Sequence, residues 1–240
     1  HIDVNSAFLS WSGLLHRGEP GYPEKIQEIP AAIGGNEQNR HGIVLAKSVA
    51  AKRFGVQTGE PLARAREKCP ELLVFPPDYD QYVRCSRKLM KLLSEYSPSV
   101  EPYSIDEAFV DMTGMEKLFG EPLDCAQKIR VRIRKELGFT VNDGISVIRL
   151  LAKMASDFEK PDKVHTLFPE EVPEKMWPLP VRELFGVGRS TEKKLEKLGI
   201  HTIGELAGSD REFLVRNLKS QGKVLWEYAN GIESSPMVGR

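Results

Sequence analysis

The sequence predicts an α+β fold, a β-sheet with helices packed on one face, interrupted by a small insertion and followed by an all-helical region. Three observations carry this. Short apolar, β-prone runs alternate with longer amphipathic stretches. Their order is strand–helix, insertion, helix–strand–strand–helix–strand–helix–strand, a split βαβ arrangement. Four prolines, Pro169, Pro173, Pro178 and Pro180, then crowd together before a stretch with helical patterning only, which marks a domain boundary.

Residues 1–6 read as a short buried strand and Ala7 to Leu15 as the helix that follows. From Gly18 to Arg40 the composition turns to Gly, Pro and polar residues, which predicts loops. Ile43 to Ala46 reads as a strand. Val49–Phe54 and Pro61–Lys68 read as short helices joined by a turn at Gln57-Thr58-Gly59, and Leu72 to Pro77 as a strand. Tyr79 to Tyr96 is an amphipathic helix, with Tyr82, Leu89, Leu92, Leu93 and Tyr96 near helical spacing. Strands at Val100–Tyr103 and Ala108–Met112 flank a turn. Leu123–Leu137 is a helix, Phe139–Ile145 a strand, Leu150–Phe158 a helix opened by Ser146, and Val164–Leu167 a strand. Past the prolines, Val181–Leu184, Thr191–Leu198, Ile203–Leu206, Arg211–Arg216 and Gly222–Ala229 read as helices.

A chain of 240 residues can bury a real core and more than one domain. Its 34 basic side chains balance 34 acidic ones. No global field draws it to nucleic acid, so such binding must come from local patches or backbone amides. Cys69, Cys85 and Cys125 have no metal-ligand spacing, which excludes a zinc site or disulfide scaffold and points to a reducing, cytoplasmic setting. No run has the apolar length of a membrane span. There is no Walker-type loop and no Ser-His-Asp or Cys-His arrangement, and His1, His16, His41, His165 and His201 form no cluster. The chain begins at His1 inside a strand and runs past the linker-like Gly231-Ile232-Glu233-Ser234-Ser235-Pro236. A few preceding residues and a further domain beyond are therefore expected.

Ser104-Ile105-Asp106-Glu107-Ala108-Phe109 puts two adjacent carboxylates in an apolar, β-prone run, and Asp3 sits in a second one, His1-Ile2-Asp3-Val4. Buried carboxylates need a neutralising cation, and three hard oxygen donors on two strands suit Mg²⁺ and phosphoryl transfer. Asp106 and Glu107 also suit a plain hairpin turn. Leu184-Phe185-Gly186-Val187-Gly188-Arg189-Ser190-Thr191, continuing to Leu198-Gly199-Ile200-His201-Thr202-Ile203-Gly204-Glu205-Leu206, has a helix-hairpin-helix pattern. Its backbone amides and helix N-terminus suit a DNA phosphate. Lys193, Lys194 and Lys197 add charge nearby, although a bare Gly-x-Gly is also an ordinary tight turn. Lys160, before Pro161 at a helix end, suits a triphosphate as a point charge; complementing the helix dipole is an equally natural role. Phe8 follows the Asp3 strand closely enough to set a ring beside the site, and core packing is the default for a lone Phe.

Taken together these motifs resemble the Y-family translesion DNA polymerases, the DinB/UmuC class. The motifs are Asp3-Val4-Asn5, His41-Gly42-Ile43-Val44 with Phe54-Gly55-Val56-Gln57-Thr58-Gly59, Ser104–Phe109, Leu151-Ala152-Lys153 through Lys160-Pro161, and Gly186–Gly188, in the family's order. The resemblance implies a ferredoxin-like palm from residues 1–15 and 73–167, fingers from 16–72, a thumb from 168–235, and at 236–240 the start of a linker to a little-finger domain. It implies that Asp3, Asp106 and Glu107, with the Val4 carbonyl, hold two Mg²⁺ ions. Phe8 is then the steric gate against a ribose 2′-hydroxyl, Lys52 and Lys160 contact the nucleotide, and Gly186, Val187, Gly188 and Arg189 grip DNA. The implied partners are primer–template DNA, a dNTP and a sliding clamp reached through the region after the linker, with a monomer as the expected state. The chain departs from the family at Val49-Ala50-Ala51-Lys52, where Tyr-x-Ala-Arg is usual, at Ile148, where Asn is usual, and at Asp143. Lys52 lacks the bidentate fork of Arg and Val49 cannot donate a hydrogen bond, so these changes bear on nucleotide affinity more than on the metal site. Two other readings are a nucleotide cyclase, which has no use for a duplex-holding hairpin, and a catalytically weak or silent DNA-binding or recruitment module of DNA repair.

Overall fold

The computed structural model describes residues 1–18, 25–35 and 42–233. His41 of the His-Gly-Ile-Val motif, parts of the loop-rich segment and the linker-like residues from Ser234 onward lie outside the described residues. Strand β1 (Ile2–Val4) is the centre of a five-stranded sheet. It pairs antiparallel with β6 (Glu107–Val110) on one side and with β7 (Val141–Ile145) on the other, and β5 (Val100–Pro102) and β8 (Val164–Thr166) form the edges.

Register decides the faces. Asp3 lies opposite Glu107 and Asn142, while Ile2 lies opposite Ala108 and Asp143. Because side chains alternate along a strand, Asp3, Glu107, Asn142 and Gly144 share one face, and Ile2, Val4, Ala108, Val141 and Asp143 share the other. The second face is covered by α4 (Tyr79–Leu93) and α6 (Pro122–Leu137), whose Tyr82, Leu89, Leu93, Ile129 and Ile133 close over Ile2, Val4 and Val141. The Asp78 side chain accepts from Gln81 N–H at 2.9 Å to start α4. In α6, Pro122 occupies the first turn and Gly138, at φ 80°, ends the helix.

Helix α7 (Arg149–Ser156) corrects the expectation that the helices pack on one face. It lies on the carboxylate face, where the Asn142 side chain donates to Ser156 O at 3.0 Å. Gly144 permits this approach: a Cβ there would meet Ala152 O at 1.8 Å and Ser156 N at 2.6 Å. Ser146 does not cap the helix, since its hydroxyl donates to Leu167 O at 2.6 Å; the Leu150 N–H donates instead to Glu233 Oε2 at 2.7 Å. The outer side of α7, with Leu150, Leu151, Met154 and Ala155, joins one core with Met176, Leu184, Leu195, Leu206 and Leu225. The proline cluster therefore does not separate the helical region from the helix before it; helical turns at Pro169–Glu171 and Val172–Met176 fold it back.

That region continues with a 3₁₀ turn at Val181–Glu183, then α8 (Arg189–Lys197), α9 (Ile203–Ala207), α10 (Arg211–Leu218) and α11 (Ser220–Ala229). Thr202 and Glu205 cap α9 reciprocally. Within the insertion, β2 (Ala31–Gly34) lies between β3 (Val44–Lys47) and β4 (Leu73–Phe75). The sequence reading missed β2 and assigned Gly18–Arg40 to loops, because Ala31-Ala32-Ile33-Gly34 has one β-branched residue and Gly and Pro neighbours. The strand read at Leu72–Pro77, at the close of the insertion, is β4, which pairs in parallel with β2. Helices α2 (Val49–Arg53) and α3 (Leu62–Lys68) complete this unit, which packs on α1 (Ala7–Leu15) through Leu9, Ile26, Ala31 and Ile33. No described helix is long and apolar enough to cross a membrane.

Asp143 sits on the apolar face of the sheet at 2 % exposure, and neither of its carboxyl oxygens has a hydrogen-bond partner among the described residues. Burial pushes its pKa up to about 8 from 3.8, against the pull of nearby positive charge including Arg130. A folded pKa above the unfolded value means that ionisation opposes folding. The penalty is absent below pH 3.8 and grows as pH rises towards 8. Asp143→Val is expected to stabilise the fold by ~1–3 kcal/mol near neutrality, by relieving the unsatisfied group. The gain should be larger in thermal melts at pH 8 than at pH 4, and a gain independent of pH would contradict the assignment. Gly144→Ala should cost ~3 kcal/mol or more in denaturant unfolding, because backbone atoms of α7 must move.

Candidate active site

Three elements of the sheet present the acidic residues. Asp3 on β1 and Glu107 on β6 are cross-strand partners on one face, and Val4 N–H donates to Asp106 O at 3.0 Å, fastening the turn before β6 beside β1. Asp3 is 8 % exposed and is contacted by the Lys160 ammonium, which also lies 2.8 Å from Asp157. Burial pushes the Asp3 pKa up to about 6; Lys160 pulls it down, and the charge of Glu107 adds to the rise. Glu107 Oε2 is contacted by the Lys153 ammonium from α7 and lies 3.2 Å from His1 Nε2. The His1 ring is fixed by Ser156 Oγ at 2.8 Å and by Phe109, with ring centroids 4.6 Å apart.

Asp106 stands slightly apart. Ser104 Oγ donates to its Oδ1 at 2.7 Å, so the structure brings Asp3 and Glu107 together and keeps Asp106 on the adjoining turn. Among the described residues, no three His, Cys, Asp or Glu side chains are grouped around one point. The donor set nevertheless fits a hard divalent cation. It consists of carboxylate oxygens, and each of the two on the strands already draws an ammonium to neutralise it.

Phe8 is half-buried at the start of α1, its ring stacked on Tyr82 with centroids 4.5 Å apart and an interplanar angle of 10°, and edge-on to Tyr79. Lys160 is not at a helix end as the sequence suggested. Helix α7 stops at Ser156, and Lys160 lies in the connection to β8, before a cis bond to Pro161. Lys52 is exposed on α2, and Val49, also on α2, is 53 % exposed. Ile148 precedes α7 and packs against the helical core, an apolar use of that position. Gly186, at φ 88°, makes the turn into α8, Gly188 is its N-cap residue, and Val187 N–H donates to Leu184 O at 3.0 Å. Gly186, Gly188 and Arg189 are exposed, and Arg189 Nη2 donates to Gln57 Oε1 at 3.3 Å, so this hairpin meets the turn after α2.

The sequence reading gave no role to His1, Lys153, Asn5 or Asn142, all of which pack around Asp3 and Glu107. For Lys153 no local pattern existed, since it sits on a helix and its partner Glu107 on a strand far away in sequence. For Asn142 a signal was present: a polar pair, Asn142-Asp143, inside an otherwise apolar strand.

Comparison with known proteins decides the family. Residues 2–157 match the impB/mucB/samB family, and residues 169–200 match the helix-hairpin-helix motif of the same group. The chain belongs to the impB/mucB/samB family. It is 53 % identical over 239 residues to a DNA polymerase IV of Clostridium acetobutylicum, covering 98 % of this chain and 59 % of that protein. It is 44 % identical over 236 residues to the DNA polymerase IV of Moorella thermoacetica, again covering 98 % of this chain and 57 % of the relative. The chain thus spans under three-fifths of these relatives. Among solved structures, DinB from Sulfolobus solfataricus superposes with a TM-score of 0.86 at 24 % identity, covering 99 % of this chain and 68 % of that one. The insertion ternary complex of Dbh DNA polymerase gives 0.82 at 25 % identity, covering 98 % and 68 %. The α+β palm, fingers and thumb arrangement of Y-family polymerases is the fold of this chain.

Proposed function

We propose that this chain is the catalytic core of a template-directed DNA polymerase that copies damaged template. The observation that carries the reading is the facing pair Asp3 and Glu107 on one sheet face, with a lysine against each, in a chain related to DNA polymerase IV proteins along nearly its whole length. The palm is drawn from residues 1–15 and 73–167, with β4 paired into the fingers sheet. Residues 16–72 are the fingers, 168–235 the thumb and 236–240 the start of a linker. The substrates are primer–template DNA and a dNTP; the primer 3′-hydroxyl attacks the α-phosphate and pyrophosphate leaves. The protein acts in the cytoplasm as a monomer.

Asp3, Asp106 and Glu107, with the Val4 carbonyl, are the residues that would hold two Mg²⁺ ions. When bound, Mg²⁺ supplies Lewis-acid stabilisation of the charge that develops in phosphoryl transfer. The chain's own side chains do the rest. Lys160, on the Asp3 side, offers its ammonium to the triphosphate, with Lys52 as a second charge from the fingers. Phe8, braced by Tyr82 and Tyr79, presents a fixed ring to the sugar and excludes a 2′-hydroxyl by steric bulk. The amides of Gly186 and Gly188 and the N-terminus of α8 take a DNA phosphate, with Val187 holding the turn between them and Arg189 beside them. Such contacts read no sequence, as copying any template demands. Lys153 from α7, and His1 from just before β1, hold Glu107 in place.

Asp106→Ala should lower Mg²⁺-dependent primer extension by about 10³-fold, the equivalent of several kcal/mol of charge stabilisation, while duplex binding in an anisotropy titration stays at the parent value. Extension equal to the parent would remove the assigned chemistry. Phe8→Ala should raise the ratio of ribonucleotide to deoxyribonucleotide incorporation by about tenfold or more, as expected when a steric contact is lost. Unchanged sugar discrimination would exclude Phe8 as the gate.

A further inference from the structure

Asn142 is fully buried and all of its side-chain bonding capacity is used. Its Oδ1 accepts from Asn5 Nδ2 at 3.1 Å and from Lys163 N–H at 3.2 Å, and its Nδ2 donates to Ser156 O at 3.0 Å and Glu159 O at 2.6 Å. Asn5, 7 % exposed, accepts at Oδ1 from Asp162 N–H at 2.9 Å. These bonds grip the α7–β8 connection at Glu159 on one side of Lys160 and at Asp162 and Lys163 on the other. Asp162 lies at φ 60°, a left-handed conformation that a non-glycine residue keeps only when its surroundings impose it. Arg130 at 2.6 Å and Arg134 at 3.0 Å hold its carboxylate from α6.

Asn5 and Asn142 are neighbours of Asp3, one two residues further along the chain, just past β1, and the other directly opposite it on β7. The segment that carries Asp3 therefore also carries half of the grip on the loop that carries Lys160. We infer that the Asn5–Asn142 amide pair positions Lys160 for the nucleotide triphosphate, locking the 157–163 connection to the sheet so that the ammonium stands beside Asp3. The inference rests on the polymerase reading above and goes beyond it by assigning a role to two residues that do not touch the substrate. A long, flexible lysine in a loop would otherwise lose much rotational freedom on binding phosphate; fixing its backbone in advance removes part of that cost. The side chain at position 142 must be an amide. A carboxylate would aim an oxygen at two carbonyls, and a hydroxyl could not span four partners.

The test is steady-state primer extension by the full chain as a function of dNTP concentration, for Asn142→Ala, Asn142→Asp and Asn5→Ala, each also in a Lys160→Ala background. Amide hydrogen exchange is measured at Asp162 and Lys163. The expected result is a KM for dNTP raised about tenfold with kcat changed less than about threefold, since the lost interaction serves nucleotide binding. In the Lys160→Ala background the same substitution should add less than about twofold, because both changes remove one function. Exchange at Asp162 and Lys163 should accelerate. Asn5→Ala removes only its own two side-chain bonds and carries the test if Asn142→Ala does not fold. An active parent whose variants keep the parent KM, or whose variants lose kcat and stability together and do so equally without Lys160, overturns the positioning role alone. A parent that extends no primer removes the polymerase reading and this assignment with it.

Discussion

Everything around the acidic pair depends on how closely α7 can lie against β7. At Gly144 the helix backbone occupies the space that any side chain would fill, and this contact sets the height and direction of α7 over the sheet. With the helix at that height, Lys153 reaches Glu107, Ser156 reaches His1, and Arg149 lies 2.8 Å from Glu101. The other side of the same helix supplies four residues to the core of the thumb. One missing Cβ thus couples the chemistry-bearing face of the palm to the part of the molecule that would hold DNA.

The two faces of the central sheet treat charge in opposite ways. On the face with α7, the buried carboxylate of Asp3 and the half-buried one of Glu107 each meet an ammonium, and two buried asparagines satisfy one another and the backbone around them. Burying a pair of charges is expensive even when they are matched, so such an arrangement is poorly explained by stability and well explained by use. On the apolar face the Asp143 carboxyl has no hydrogen-bond partner among the described residues, and burial pushes its pKa up. A single β-strand, Val141 to Ile145, places Asn142 in the first environment and Asp143 in the second. The two adjacent polar residues therefore have unrelated surroundings: one is fully hydrogen-bonded, while the other has no hydrogen-bond partner among the described residues.

Much of this was legible in the chain. Helical spacing of apolar residues located α1, α4 and α6 to within a few residues, and acidic residues inside apolar runs singled out Asp3 and Glu107. The glycine turn at Gly186 and Gly188 before α8 was visible because only glycine readily takes the φ of 88° that the turn requires. Strand β2 was not visible, since it is a strand by virtue of its neighbours β3 and β4 rather than its own residues. The end of α7 was also misplaced: Asp157 and Phe158 are compatible with helix, yet α7 stops at Ser156, where the Asn142 side chain takes up the Ser156 and Glu159 carbonyls.

The sequence alone determined the α+β class, the order of the elements, the acidic residues and the glycine hairpin before α8, because these follow from local periodicity, turn chemistry and the cost of burying charge. Only the tertiary structure decided which strand lies beside which, on which face α7 rests, and that Asp3 and Glu107 face each other with Lys160 and Lys153 against them. A strand's alternation says which of its own side chains point together. Pairing across more than a hundred residues of chain is settled by register and packing, which no local pattern records.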